Sequence, residues 1–496
     1  NCVDRHVAAG KGDRVAIHWV GEPGDTRDLT YSQLLAEVSK AANYFSSIGL
    51  VAGDRVAIYM PMVPEALISM LACARLGLTH SVVFAGFSSG ALRSRVDDAE
   101  AKLVITTDGQ YRRGQAVSLK DGVDDAIAGL GDDSPVEHVL VVRRTGIDTP
   151  WTDGRDLWWD EVGPKASTDH TPEAFDSEHP LFLLYTSGTT GKPKGIMHTS
   201  GGYLTQASYT HVNVFDIKPE TDVYWCTADI GWVTGHTYIV YGPLLAGATS
   251  VMYEGKPVGT PDAGAFWRVI GEHGVKALFT APTAIRAIRK EDPEGAHVGK
   301  YDLASLKYLF LAGERLDPDT YHWADDKLGI PVIDHWWQTE TGWPIAANPM
   351  GTEALPIKAG SPTVPMPGFD VHILREDGSD CAPDQEGAIC IRLPLPPGTL
   401  PTLWKADERF RKSYLTNFPG YYETGDAGYI DEDGYLYIMA RTDDVINVAG
   451  HRLSTGAMEE VLSSHPAVAE CAVIGVADSL KGQMPLGFLV LKKGME

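Results

Sequence analysis

The sequence predicts an α/β protein: a large first domain of helix-covered sheets, a smaller mainly β region, and a final α/β segment. Three observations carry this expectation. Short apolar runs alternate with segments of helical periodicity between residues 30 and 107, and again between 236 and 288. Strands spaced by helices of that length pair in parallel and are covered on their faces by the helices. After about residue 360 the runs shorten, alternate, and are separated by Gly-rich turns, as hairpins require.

Residues 30–48 (TYSQLLAEVSKAANYFSSI) carry apolar positions at helical spacing, with Thr30 placed as N-cap. RVAIYM (55–60) reads as a strand and EALISMLACARLG (65–77) as a helix stopped by Gly77. HSVVFAG (80–86), a helix over 89–98 and the strand AKLVITT (101–107) continue the alternation. It returns with GATSVMY, the helix AFWRVIGEHG and the strand KALFTAP. KYLFLAG (307–313) and IPVIDHW (330–336) add two buried-strand candidates. FDVHILREDG, GAICIRL and GYIDEDGYLYIM form the β-rich region, about 360–440, within a large domain spanning 1–442. MARTDDVINVAGHRLS is a polar junction; a helix at 456–465 and the strand AECAVIGV begin a smaller domain, 443–496, that reads as incomplete. The chain opens abruptly at Asn1 and ends just after a strand-like run, so both edges are read as cuts.

Composition narrows the function. With 42 basic against 66 acidic side chains the formal charge is -24, which argues against nucleic-acid and membrane-surface partners. A small anionic ligand remains compatible, because it needs only a local positive site. The six cysteines are scattered with no CxxC pair, which suits separate thiols in a reducing compartment. That compartment would be the cytoplasm of a bacterium or archaeon, or the mitochondrial matrix of a eukaryote. No apolar run reaches transmembrane length.

The segment YTSGTTGKPKG (185–195) resembles a phosphate loop without being one. Ser187, Thr189 and Thr190 offer hydroxyls, Gly188, Gly191 and Gly195 permit tight curvature, and Lys192 and Lys194 add charge. A triphosphatase loop needs Ser or Thr after GK and runs straight into a helix; here Pro193 follows Lys192 and supplies neither hydroxyl nor N–H. Phosphate contact through hydroxyls and backbone N–H groups remains the reading. Three further segments suit the same ligand. YYETGD (421–426) sets Asp426 on a turn where a carboxylate could accept two ribose hydroxyls, although Asp beside Gly is also an ordinary turn former. WWQTETG (336–342) joins aromatic surface to Gln338, Thr339 and Glu340, suited to base stacking and metal binding, or equally to packing and a helix cap. RTDDVINVAGHR (441–452) spaces Arg441 and Arg452 around a polar turn that could also be a solvated linker.

In their order and spacing these four segments resemble the adenylate-forming enzymes. CTADIGWVTGH (226–236), FTAPTAIRAIRK (279–290) and HPAVAECAVIG (465–475) narrow the resemblance to the acetyl/propionyl-CoA synthetase group, over essentially the whole chain. The resemblance implies the adenylate-forming fold, with stacked mixed sheets in the large domain and a small mobile lid domain. It implies ATP, magnesium and coenzyme A as cofactor or co-substrates and a small carboxylate as substrate. The acid is activated to an acyl-adenylate with release of pyrophosphate and then passed to CoA with release of AMP. Loop residues Ser187, Gly188, Thr189, Thr190, Gly191 and Lys192 would hold the triphosphate, and Glu340 the magnesium. Gly313, Glu314 and Arg315, with Asp334, His335, Trp336, Gln338 and Thr339, would flank the adenine. Asp426 and Arg441 would take the ribose, Arg452 a phosphate or the acyl carbonyl, and Asp443 would be the hinge.

Val233, Thr234, Ala312 and Trp337 would line the acyl pocket. Acetyl-CoA synthetases carry Val where Ala312 stands, so two methyl groups are missing from the wall. Room for one more substrate methylene, worth roughly 1–3 kcal/mol, favours propionate, and LAGER together with Trp343 also looks more like propionyl-CoA synthetases. Acetate is the alternative, and a non-catalytic nucleotide-binding homologue a more distant one. An arginine pair that binds CoA in the family maps to Arg112 and Gln115, so one contact is lost. His465 matches a metal-binding turn, although a helix-end His is more often a cap. The family's catalytic lysine would lie beyond Glu496, and Lys492 and Lys493 do not stand in for it. Regulation by an acetyltransferase and deacetylase would act through that lysine.

Overall fold

Apolar runs of four to seven residues joined by helical crossovers leave one economical pairing, side by side and parallel, and two large sheets obey it. The computed structural model describes residues 1–186, 193–442, 445–448, 451–463, 465, 467–478 and 482–491. In the first sheet, Val332–Trp336, Tyr308–Leu311, Val275–Thr280, Val223–Cys226, Thr249–Tyr253 and Val15–Val20 lie parallel in that spatial order. Antiparallel strands finish both edges, Thr26–Thr30 on one and Ala346–Ala347 with Val364–Pro365 on the other. The second sheet has Thr79–Val82, Arg55–Tyr59, Ala101–Thr107, His138–Val142 and Asp156–Trp158 in parallel. Pro180–Thr186 joins it in parallel beside Thr79–Val82, and Lys194–Thr199 returns antiparallel to it.

The helices start and stop where local chemistry allows. Tyr31–Ser47 is opened by a reciprocal cap: the Thr30 hydroxyl accepts the Gln33 N–H at 3.2 Å and the Gln33 side chain accepts the Thr30 N–H at 2.9 Å. Pro64–Leu76 ends at Gly77, whose φ of 66° lies in the left-handed region that costs a glycine nothing. One apolar cluster runs through both sheets, with Ile17, Tyr224 and Phe279 from the first and Val56 and Phe182 from the second. Two sheets sharing a core fix the relative position of everything on their edges.

A four-stranded antiparallel sheet follows, Val371–Leu374, Gly387–Arg392, Tyr421–Ile430 and Leu436–Arg441. Beyond it, His451–Ser454, Val445–Val448, Gly482–Leu491 and Val468–Asp478 form a second antiparallel sheet with the helix Thr455–Ser463. The architecture is the expected one, a large mixed α/β body with a β-rich part and a small C-terminal α/β unit. Among the described residues no helix is long and apolar enough to cross a membrane.

One strand is shorter than expected, and one motif takes an unusual form. The run 80–86 is strand only to Val82, because Phe84 to Phe87 closes a turn through the Phe87 N–H and Phe84 carbonyl at 2.9 Å. The WVTGH segment is a short helix, Val233–Gly235, passing into the π-helical turn His236–Tyr241, which seats Tyr238 and Tyr241 in the core.

Candidate active site

The order of the first sheet reverses beside Val223–Cys226: the next strand, Thr249–Tyr253, lies on one side, and Val275–Thr280 on the other. In open parallel sheets ligands bind beyond the strand carboxyl ends at such a reversal. There the Thr227 and Thr280 hydroxyls meet at 2.6 Å. The segments leaving these and the neighbouring strands are those that carry Val233 and Thr234, Ala312 to Arg315, and Trp337 to Glu340. Gly313 takes φ 101°, which a side chain would strain.

Strand alternation splits the Asp334–Thr339 stretch between two faces. His335 turns into the aromatic core, its Nε2 2.8 Å from the Tyr238 hydroxyl, and Trp337 stacks on Tyr238 at 4.6 Å. Trp336 and Gln338 turn the other way, toward the antiparallel sheet. The Gln338 Nε2 donates to Asp426 Oδ2 at 2.8 Å and to the Thr424 carbonyl at 2.7 Å, and the Trp336 indole donates to the same Oδ2 at 3.3 Å. Arg441 stands 3.7 Å from Asp426 Oδ1, paired across the strands Tyr421–Ile430 and Leu436–Arg441. Burial pushes the Asp426 carboxyl up to about 6, against the pull of Arg441 and the two side-chain donors. Asp334 is pushed further, to about 7, by burial, with the His335 N–H and the Arg315 charge drawing it back.

A second cluster surrounds Glu340. The Tyr414 hydroxyl donates to Glu340 Oε1 at 2.6 Å, Lys194 donates to the Tyr414 oxygen at 2.7 Å, and the ammonium lies 3.7 Å from Oε1. Burial lowers the Lys194 pKa while the Glu340 charge opposes the shift. No hydrogen bond among the described residues reaches Glu340 Oε2, which leaves that oxygen open to a hard cation. Among the described residues no group of three or more His, Cys, Asp or Glu could hold a metal alone. Magnesium commonly takes one or two carboxylates and completes its shell with substrate phosphates and water, so this donor set fits it. His198 steadies the turn from behind, its Nε2 donating to the Thr339 carbonyl at 2.7 Å.

Thr186 pairs with Lys194 at the open end of the hairpin Pro180–Thr186 and Lys194–Thr199, so the glycine-rich segment joins two antiparallel strands and does not enter a helix. Ser187, Gly188, Thr189, Thr190, Gly191 and Lys192 lie outside the described residues, as does Asp443. Arg452 falls in the strand His451–Ser454, and its side chain also lies outside them. Glu314 is held at the start of the helix Pro282–Glu291: its Oε1 accepts the Thr283 N–H at 2.6 Å, and Arg286 pairs with Oε2 at 2.7 Å. Arg112 sits apart, on the small hairpin Gly109–Arg112 and Gln115–Ser118, with its guanidinium beside Gly86. The His465 ring accepts the Ala467 N–H at 3.2 Å, just before the strand Val468–Asp478. Sequence reading passed over Tyr414, Tyr422 and His198. No motif marks Tyr414, and Tyr422 lies unremarked within YYETGD; only the fold brings them to Glu340 and Gln338.

Residues 4–398 match the family of AMP-binding enzymes, and 457–496 match the AMP-binding enzyme C-terminal domain. An acetyl-coenzyme A synthetase of Mycolicibacterium smegmatis is 55% identical over 99% of this chain, which spans only 53% of that relative. Acetyl-coenzyme A synthetases of Streptomyces avermitilis and Mycobacterium tuberculosis are each 54% identical over 99% of this chain, covering 74% and 76% of their lengths. These relatives overturn the expected likeness to propionyl-CoA synthetases. The structure supplies the physical reason. Ala312 is buried in one apolar cluster with Val233 and Trp337, and Trp337 stacks on Tyr238, so the missing methyl groups at 312 are one part of a wall that several side chains share. Trp343 packs on Tyr209 and Phe369 and does not report on the acid. The chain belongs to the family of AMP-binding enzymes.

Proposed function

We propose that the protein is an AMP-forming acetate–CoA ligase. An acetate oxygen attacks the α-phosphorus of ATP and the α–β bridge bond breaks, giving acetyl-adenylate and pyrophosphate. The CoA sulfur then attacks the acyl carbon, and AMP leaves with the bonding electron pair. The observation that supports this reading is one connected set of polar contacts with Lys194, Tyr414 and Glu340 at one end and Gln338, Asp426 and Arg441 at the other.

In this reading the loop 187–192 wraps the β- and γ-phosphates, and the Lys194 ammonium screens charge beside it. Asp426, held by Oδ2, keeps Oδ1 for the ribose hydroxyls, while Trp336 offers its ring to the adenine. Glu340 Oε2 would hold magnesium, which when bound neutralises phosphate charge. Val233, Thr234 and Ala312 form the walls of a short acyl pocket closed by Trp337 on Tyr238. Arg112 and Arg452 serve CoA and the reacting phosphate, Asp443 is the hinge, and the division falls between 1–442 and 443–496.

Carboxylate-dependent ATP–pyrophosphate exchange on the full-length protein tests the proposal. Exchange fastest with acetate, slower with propionate and butyrate, and AMP as nucleotide product are expected. Release of ADP and phosphate, or exchange indifferent to the acid, overturns it.

A further inference from the structure

The Glu340 cluster and the Asp426 cluster are joined by an aromatic bridge. Tyr414 closes the helix Asp407–Tyr414 and is buried, although its hydroxyl serves two charged side chains, Glu340 and Lys194. Its ring stacks on Tyr422 at 5.2 Å, with planes 11° apart. The Tyr422 hydroxyl in turn donates to Gln338 Oε1 at 3.2 Å, and Gln338 donates onward to Asp426. An unbroken path of hydrogen bonds and one ring stack therefore runs from Lys194 and Glu340 to Asp426. Both rings are fully packed, so neither can turn without displacing the other.

We propose that Tyr414 is a positioning residue that presets the Glu340 carboxylate, holding Oε1 so that Oε2 stays presented to a divalent cation, and that its stack on Tyr422 ties this setting to the ribose end. The inference rests on the ligase reading for the identity of the ligands. Its geometric content is narrower. A carboxylate without a fixed partner samples rotamers, and each cation captured must pay for fixing one of them. The tyrosine removes that freedom in advance without contacting substrate. Lys194 holds the tyrosine oxygen as an acceptor, which leaves its proton directed at Glu340.

The test is Mn2+ binding to full-length protein carrying a non-hydrolysable ATP analogue, read by electron paramagnetic resonance, for wild type and Tyr414→Phe. The stacked ring is kept and only the oxygen is lost. Losing one hydrogen bond to the carboxylate should weaken Mn2+ binding by about tenfold, with adenosine affinity, measured on the same protein without the analogue, unchanged. Tyr414→Leu, which also removes the stack, should weaken both. If Tyr414→Leu does not fold, the Phe variant decides alone. Unchanged Mn2+ affinity in Tyr414→Phe, or equal loss of Mn2+ and adenosine binding, overturns the inference. Failure of the ligase reading is separate, because it appears as absent acetate-dependent exchange in the wild type.

Discussion

Asp334 keeps a carboxylate where burial favours a neutral group. Its acid is pushed from the ordinary 3.8 to about 7, the Arg315 charge and the His335 N–H recovering only part of the desolvation. Folded-state pKa above the unfolded one means that the residue supports the fold below pH 4 and opposes it progressively as pH rises to 7. Asp334→Asn removes the ionisation but keeps an acceptor for the His335 N–H. Stability at pH 8 should therefore rise by about 1–3 kcal/mol, and the gain should fade toward pH 4. Urea unfolding at the two pH values measures it; an equal gain at both would assign the effect to packing. Asp426 has a different balance, since Gln338 and Trp336 already bind it and Arg441 stands close. Its pKa of about 6 leaves it ionised at neutral pH, so ribose affinity should weaken as pH falls through 6, which a titration of AMP binding against pH reads directly.

At the scale of elements, the strand Lys194–Thr199 does most to hold the crevice. Residues four apart share a face, and Lys194 and His198 use that face to reach Glu340 and the Thr339 carbonyl. His198 also packs on Phe182 at 5.0 Å and Tyr203 at 5.2 Å. His198→Ala leaves a buried carbonyl without its donor and opens a cavity, a loss of about 2–4 kcal/mol. It should also slow acetate-dependent exchange, because the turn bearing Glu340 loses its rear support. A stable variant with undiminished exchange would contradict this. The charge of Lys194 was legible in the sequence, but its partners and the role of His198 were not. The helices Tyr31–Ser47 and Pro64–Leu76 were legible, since the Thr30 cap and the Gly77 stop act within a few residues. The Asp426 and Glu340 motifs were legible as pieces; their union through two tyrosines was not. Ala312 was weighed alone, whereas the structure packs it with Val233 and Trp337, and the π-helical turn that sets Tyr238 is a product of packing that no local pattern announces.

Across the whole molecule the shared core is lined with histidines that have no room for a proton. His80, His198 and His236 gather around Phe182, with ring centroids 4.6 to 5.7 Å from it. His211 and His335 sit among Phe215, Tyr224 and Tyr238. Burial lowers His198, His211 and His236 to about 4 and His335 to about 3, and it lowers His80 well below its ordinary value. A histidine with a depressed folded pKa supports the fold fully above 6.5 and ceases to as pH falls through its folded value. At pH 5 the unfolded chain binds a proton on each of these five rings, and the folded chain on almost none. Asp334 and Asp426 act in the opposite sense there, being protonated when folded and ionised when unfolded. For these seven groups the net uptake on unfolding at pH 5 is about three protons, a contribution that lowers stability by roughly 4 kcal/mol for each pH unit between 6 and 5. Urea unfolding at closely spaced pH values gives that slope. A stability that stays flat over the interval would mean that the histidines already carry protons in the folded core. Acid sensitivity follows because the imidazoles that brace the crevice are neutral by burial, and His198 is both one of them and the donor that holds the turn carrying Glu340.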